Sequence, residues 1–140
     1  MQVKLDGFEY SNVAARLPAQ DLERARLFYR EKLGMEPDEV RPGGLLYFCG
    51  SSSFGLFASH GASSGTHTQM GLDVTDLRAA VAALRARGVV FETYDFLGLK
   101  TVDGVAEIAG NYASKGGKGE LAAWFKDSEG NLIGLGQALR

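Results

Sequence analysis

The sequence predicts an α+β fold: a βαβββ unit occurring twice, its short strands forming two curved mixed half-sheets around a cavity, with the helices on the outer face. Three observations lead to it. Leu17-Pro18-Ala19-Gln20-Asp21-Leu22 opens an amphipathic stretch that ends at Leu33-Gly34, and Leu72-Asp73-Val74-Thr75-Asp76-Leu77 opens another that ends at Arg87-Gly88, with 55 residues separating Asp21 from Asp76. Short apolar runs divided by glycine and serine follow each stretch. Late in each half the runs echo one another, Phe54-Gly55-Leu56 against Ile133-Gly134-Leu135. The chain of 140 residues is expected to form a single domain, 1–140, with unit one over about 8–60 and unit two over about 65–138.

Residues 10–17 read as the first strand. Asp21 is a good N-cap for a helix whose Leu22, Ala25, Phe28, Tyr29 and Leu33 share one face, and Gly34 stops it. Strands are expected at 38–41, 45–49 and 54–59, punctuated by Pro42-Gly43-Gly44 and Gly50-Ser51-Ser52-Ser53. In the second unit, 66–74 is a strand and Asp76 caps a helix that turns Leu77, Val81 and Leu84 inward before Gly88. Strands at 89–96, 121–126 and 131–137 complete the set, the last two joined through Asp127-Ser128-Glu129-Gly130-Asn131. The segment 97–120 reads as one long irregular loop, either a surface excursion or a lid. Its Gly-Gly-Lys-Gly run lacks the full phosphate-cradling pattern.

Fifteen basic and seventeen acidic residues are interspersed, giving a net charge of −2 and no basic stripe, so a nucleic-acid partner is not expected. No apolar run approaches membrane-spanning length and no apolar signal follows Met1, so a cytoplasmic protein without membrane association is expected. Cys49 is the lone cysteine; nothing near it in sequence would lower its pKa, which favours an inert thiol. His60 lies in a Ser/Gly-rich loop and reads as solvated.

Alternation along the strands divides the residues into two faces. Val13, Ala15 and Leu17, with Met70, Leu72 and Val74, suit packing beneath the helices. Asn12, Ala14 and Arg16, and His67, Gln69, Gly71 and Asp73, fall on the other side, with Gly55, Phe57 and Gly134. A merely solvated face would carry Lys, Glu and Thr, so glycines, amides and aromatics there point to a cavity. Across the five-residue hairpin loop Trp124 faces Gly134, and by parity Tyr47 and Cys49 are expected beside Gly55. Trp124, Tyr47 and Phe57 then read either as core filling the cup or as an aromatic wall for a ligand, anchored by Asn12, Arg16, His67 and Gln69.

The doubled βαβββ pattern, with LPAQDLERARLFYREKLG in unit one and WFKDSEGNLIGLGQ near the end, resembles the vicinal oxygen chelate superfamily of glyoxalases, extradiol dioxygenases, fosfomycin-resistance enzymes and bleomycin-binding proteins. The resemblance implies a homodimer and, in the enzymes, a divalent metal. The positions it assigns to metal ligands are Ala14, Gly55, Gln69 and Gly134 here. Ala and Gly offer no donor, and a lone Gln amide does not hold a divalent ion against water, so no metal site and no cofactor are expected. His67 remains the weak candidate for acid–base chemistry. The expected function is metal-independent binding or sequestration of an aromatic small molecule, in the manner of the bleomycin-resistance proteins. The alternatives are a lyase, isomerase or dioxygenase relative without the usual metal, and a degenerate domain acting as a protein partner.

Overall fold

The computed structural model describes residues 3–140. In chain order it contains β1 (Val3–Leu5), β2 (Phe8–Tyr10), β3 (Ala15–Ala19), α1 (Leu22–Leu33), β4 (Glu39–Arg41), β5 (Gly44–Cys49) and β6 (Ser52–Ala58). The second half comprises β7 (Thr68–Asp73), α2 (Leu77–Ala86), β8 (Asp95–Phe96), β9 (Leu99–Val102), β10 (Val105–Ala109), a 3₁₀ turn at Ala113–Lys115, β11 (Gly119–Lys126) and β12 (Leu132–Leu139). A four-stranded sheet runs β3-β6-β5-β4 and a six-stranded sheet runs β7-β12-β11-β10-β9-β8, while β1 and β2 pair apart from both. In each large sheet the strand before the helix pairs parallel with the last strand of its unit, β3 with β6 and β7 with β12. Among the described residues no helix is long and apolar enough to cross a membrane.

The helices form where their caps and periodicity require. Asp21 Oδ1 accepts from the Arg24 N–H at 3.0 Å, and Gly34 takes φ 68°, a left-handed conformation that costs little only without a Cβ. Asp76 Oδ1 accepts from the Ala79 N–H at 3.1 Å. Ala25 and Tyr29 on α1, and Leu77, Val81 and Leu84 on α2, are buried. They join one core with Leu17, Leu45, Tyr47, Phe54 and Leu56 of the four-stranded sheet and Met70, Phe125, Ile133 and Leu135 of the six-stranded sheet. Each such side chain removed from water stabilises the fold by about 1.5–3 kcal/mol. The core thus occupies the helix side of both sheets and leaves their other sides open.

Three expectations about elements are corrected. The first strand starts at Ala15, because residues 11–14 pair with nothing regular and the preceding segment turns back as the β1–β2 hairpin. Residues 97–120 are not one irregular loop: β9 and β10 lie within them, and β10 pairs with β11 from Ala106↔Ala122 to Ala109↔Gly119. Val105 and Ala106 are buried in this strand, but Gly104 and Gly110 at its ends broke the apolar run into a loop-like composition. Residues 89–96 contribute only the isolated Phe91↔Phe125 bridge and the short β8.

Candidate functional site

The open side of the four-stranded sheet is a small grid. One cross-strand row carries Glu39, Leu46, Gly55 and Arg16, and the next carries Arg41, Gly44, Phe57 and Pro18. On the two central strands glycine thus alternates diagonally with an apolar side chain, Gly55 opposite Leu46 and Phe57 opposite Gly44. The edge arginines lean inward over the glycines. A Cβ at Gly44 would lie 2.9 Å from Arg41 Nε, and one at Gly55 would lie 3.9 Å from Arg16 Nη1. Between them the surface sinks into a cavity of about 330 Å³ lined by Arg16, Glu39, Arg41, Leu46 and Phe57. Phe57 remains 39% exposed there, and Phe48, further along the same face, 52%.

The open side of the six-stranded sheet is built differently. Trp124 pairs with Gly134 across the β11–β12 hairpin, and its indole N–H donates to Thr68 Oγ1 at 3.0 Å. A Cβ at Gly134 would meet Thr68 Cγ2 at 3.2 Å and Trp124 Nε1 at 3.3 Å, so these neighbours already fill the glycine's space. The Tyr94 ring stands edge-on to the indole at 5.4 Å and Phe96 stands edge-on to Tyr94 at 6.0 Å, an aromatic line running to the sheet edge. Further along the face, the Glu120 carboxylate covers Gly136, while Lys115 Nζ lies 3.5 Å from Asp73.

The turn between β11 and β12 binds unit two to α1. Asp127, Glu129 and Asn131 are all buried. Asp127 Oδ2 accepts from the Tyr29 hydroxyl at 2.7 Å and from Asn131 Nδ2 at 2.9 Å, and its Oδ1 accepts from the backbone N–H groups of Glu129 and Asn131. Glu129 takes a bidentate clamp from Arg24, Nε at 2.8 Å and Nη2 at 3.0 Å, plus the Asp21 backbone N–H at 2.9 Å. Burial alone would raise the Glu129 pKa, yet the Arg24 guanidinium and the other donors hold it down to about 2. Burial, together with the Asp127 carboxylate, pushes the Tyr29 phenol well above its ordinary value. From composition alone the segment 127–131 is a simple turn. Its signal was three polar residues at alternate positions, more than a solvated loop needs.

The residues expected to line one cavity are distributed over several places. Arg16 and Phe57 share the four-stranded cavity. Trp124 lies on the other sheet, opposite Gly134 as the loop length predicted. Asn12 is exposed ahead of β3, and His67 is exposed in the bend before β7. Gln69 leaves the open face because β7 carries a bulge there: Thr68 pairs with Leu132 but Met70 pairs with Ile133. Gln69 is thereby turned under the hairpin, donating to Asn131 Oδ1 at 3.1 Å and accepting from the Ser63 hydroxyl. Thr68 takes the place beside Trp124 that alternation had given to Gln69 and His67.

Tyr47 is corrected from the open face to the core. It pairs with Phe54, stacks on that ring at 4.8 Å and is 1% exposed. A hairpin with the two-residue loop Gly50–Ser51 pairs odd positions with even ones, so parity counted along one strand does not carry unchanged to the next. Cys49 is exposed and unbridged and pairs with Ser52, away from the face of Gly55.

The donor set does not fit a divalent metal. Of the four positions the resemblance selects, Ala14, Gly55 and Gly134 carry no donor, Gln69 is engaged by the hairpin, and Arg16 brings a positive charge to Gly55. Among the described residues no three His, Cys, Asp or Glu side chains are gathered as a ligand set. Chemically, the open faces offer apolar and aromatic surface, glycine floors and separate cationic and acidic groups. Those are means of recognition.

The family model for the glyoxalase/bleomycin resistance protein/dioxygenase superfamily matches residues 11–135. Among solved structures, the fold is similar to a glyoxalase/bleomycin resistance protein/dioxygenase from Alicyclobacillus acidocaldarius, with 16% identity, a TM-score of 0.66 and coverage of 93% of this chain and 92% of that one. It is similar to TnmS3, an antibiotic binding protein from Streptomyces sp. CB03234, with 24% identity, a TM-score of 0.62 and coverage of 92% and 97%. A glyoxalase/bleomycin resistance protein from Catenulispora acidiphila matches with 22% identity, a TM-score of 0.59 and coverage of 91% and 98%. No curated protein matches the sequence significantly.

Proposed function

The chain belongs to the glyoxalase/bleomycin resistance protein/dioxygenase superfamily, and from that premise we propose that it binds or sequesters a planar aromatic small molecule without a metal. The observation that carries this reading is the cavity of about 330 Å³ on the four-stranded sheet, within the size range of small-molecule sites and floored by Gly44 and Gly55 between Leu46 and Phe57. The antibiotic binding by the similarly folded TnmS3 supports it by analogy of fold. The lack of donors at Ala14, Gly55 and Gly134 supports metal independence.

A homodimer belongs to the same proposal. Phe48 and Phe57 stand partly exposed on one open face, and Trp124 with Phe96 on the other, so that each face has aromatic surface to cover. Arg16 and Arg41 on the first are also opposite in sign to Glu120 on the second, where Asp73 is already paired with Lys115. Two copies, each laying its six-stranded face over the partner's four-stranded face, bring Trp124 over the arginine-lined cavity. Trp124 is the only tryptophan, so its fluorescence reports the site directly.

The test titrates planar two- and three-ring aromatics into the protein with EDTA present, following Trp124 emission alongside light scattering. Saturable quenching by a species of twice the 15.0 kDa chain mass is expected. By calorimetry, Trp124→Ala then weakens the same ligand at least about tenfold, as loss of a desolvated aromatic anchor does. Binding that vanishes with EDTA, or is equally tight in Trp124→Ala, overturns the reading.

A further inference from the structure

We propose that the cavity on the four-stranded sheet selects planar aromatics that carry an anionic group, aromatic carboxylates above all. This inference rests on the reading of the cavity as a small-molecule site and adds the chemistry of its ligand. Arg16 comes from β3 and Arg41 from β4, the two opposite edges of the sheet, yet both lean toward the centre. For Arg41 the inward lean depends on a glycine. Arg41 Nε lies 2.9 Å from where a Cβ at Gly44 would stand, closer than any other residue type would allow without displacement. Arg16 Nη1 lies 3.9 Å from where a Cβ at Gly55 would stand, an ordinary contact distance, so there the guanidinium borders the glycine without depending on it.

Neither guanidinium is neutralised. Among the described residues neither Arg16 nor Arg41 forms an ion pair within 4.0 Å, whereas Arg24, Arg26 and Arg30 all do. Glu39 is the one acid of the lining and leaves the cavity with an excess of positive charge. The space between the arginines is walled by Leu46 and Phe57, which removes water from one side of any group bound there and strengthens a charge-assisted contact. A guanidinium presents parallel N–H donors that match a carboxylate in two bonds, and its flat face also lies on an aromatic ring. A ligand with a flat apolar body and a carboxylate at its rim satisfies the walls and the arginines together. A cationic ligand of the same shape meets two like charges.

The experiment is calorimetry on the full chain with a panel of two- and three-ring aromatics, each supplied as the carboxylate and as the isosteric carboxamide. The carboxylate of at least one pair is expected to bind about tenfold tighter or better, with the gap narrowing as salt is raised. In Arg16→Gln/Arg41→Gln the gap closes to within about threefold, while Arg78→Gln, which removes the same charge away from the cavity, keeps it. Gly44→Ala retains both charges but displaces Arg41, and narrows the gap in part; melting curves by circular dichroism establish that each variant is folded. Carboxylate and carboxamide binding equally would overturn the inference and leave the aromatic-binding reading standing. A preference that survives the double variant would overturn it as well. Binding of neither member of any pair would overturn both.

Discussion

Gly55 and Gly134 occupy equivalent places in the two units, yet the faces around them differ. At Gly134 the neighbouring strands close the space themselves: Trp124 and Thr68 press to 3.3 and 3.2 Å of a would-be Cβ and are hydrogen-bonded to each other. At Gly55 the nearest side-chain atom is Arg16 Nη1 at 3.9 Å, on a long chain that a ligand can move, and a cavity remains. One glycine seats an indole and the other leaves a vacancy beneath a cation. A repeated fold therefore does not repeat its recognition chemistry; the partner across the strand decides what a glycine is for.

That comparison holds only while the two sheets keep their relative places, and beside the shared core the buried 127–131 turn ties the second unit to α1. Breaking it has the largest expected effect. Asp127→Ala leaves the Tyr29 hydroxyl, the Asn131 amide and two backbone N–H groups without their acceptor in the interior. The cost is about 3–5 kcal/mol, measured by urea unfolding, because stranded buried partners carry their full desolvation penalty. Tyr29→Phe, which takes only one donor from the buried Asp127 carboxylate, costs about 1–3 kcal/mol. Losses below about 0.5 kcal/mol in both would remove the turn as a tie between the second unit and α1.

The same junction gives a pH signature of intermediate size. Glu129 is held at about 2 in the folded chain against an ordinary 4.5, so the folded state binds fewer protons than the unfolded state between those values. Its stabilisation is fully present above pH 4.5 and is lost as pH falls toward 2. Glu129→Gln is therefore expected to be less stable than wild type at neutral pH, with the two unfolding curves converging on acidification. Parallel pH dependences would show that the Arg24 clamp adds nothing.

The helices were legible because their signals are local: Asp21, Gly34 and Asp76 sit one turn from the groups they satisfy. The Trp124–Gly134 pairing was legible for a related reason, since a five-residue loop fixes register without help from elsewhere. The displacement of Gln69 was not, because the bulge that turns it lies between strands distant in sequence and depends on Ser63 and Asn131. The inward arginines were half legible. Alternation puts Arg16 on the face of Gly55, whereas Arg41 lies in a three-residue strand too short to show a period. Burial of Asp127 and Glu129 ran against composition, and only the arrival of Arg24 and Tyr29 from about 100 residues away makes it affordable.

The smallest expected effect sharpens the division between the two sides of the four-stranded sheet. Tyr47 and Tyr29 are neighbouring buried phenols, their rings 5.6 Å apart, but Tyr29 donates to Asp127 while the Tyr47 hydroxyl has no partner among the described residues. Burial pushes the Tyr47 phenol up to about 12, so it is neutral throughout the working range. Its ring stacks on Phe54, and those contacts survive in phenylalanine. Tyr47→Phe removes only an unpaired buried hydroxyl, whose desolvation burdens the folded state, so stability is expected to stay within about 0.5 kcal/mol of wild type or to rise. Ligand affinity is expected not to move at all, since Tyr47 faces α1 and the cavity opens on the other side of β5. A Tyr47→Phe chain as stable as wild type but several-fold weaker in binding would return Tyr47 to the ligand face, and the separation of core side from open side would fall with it.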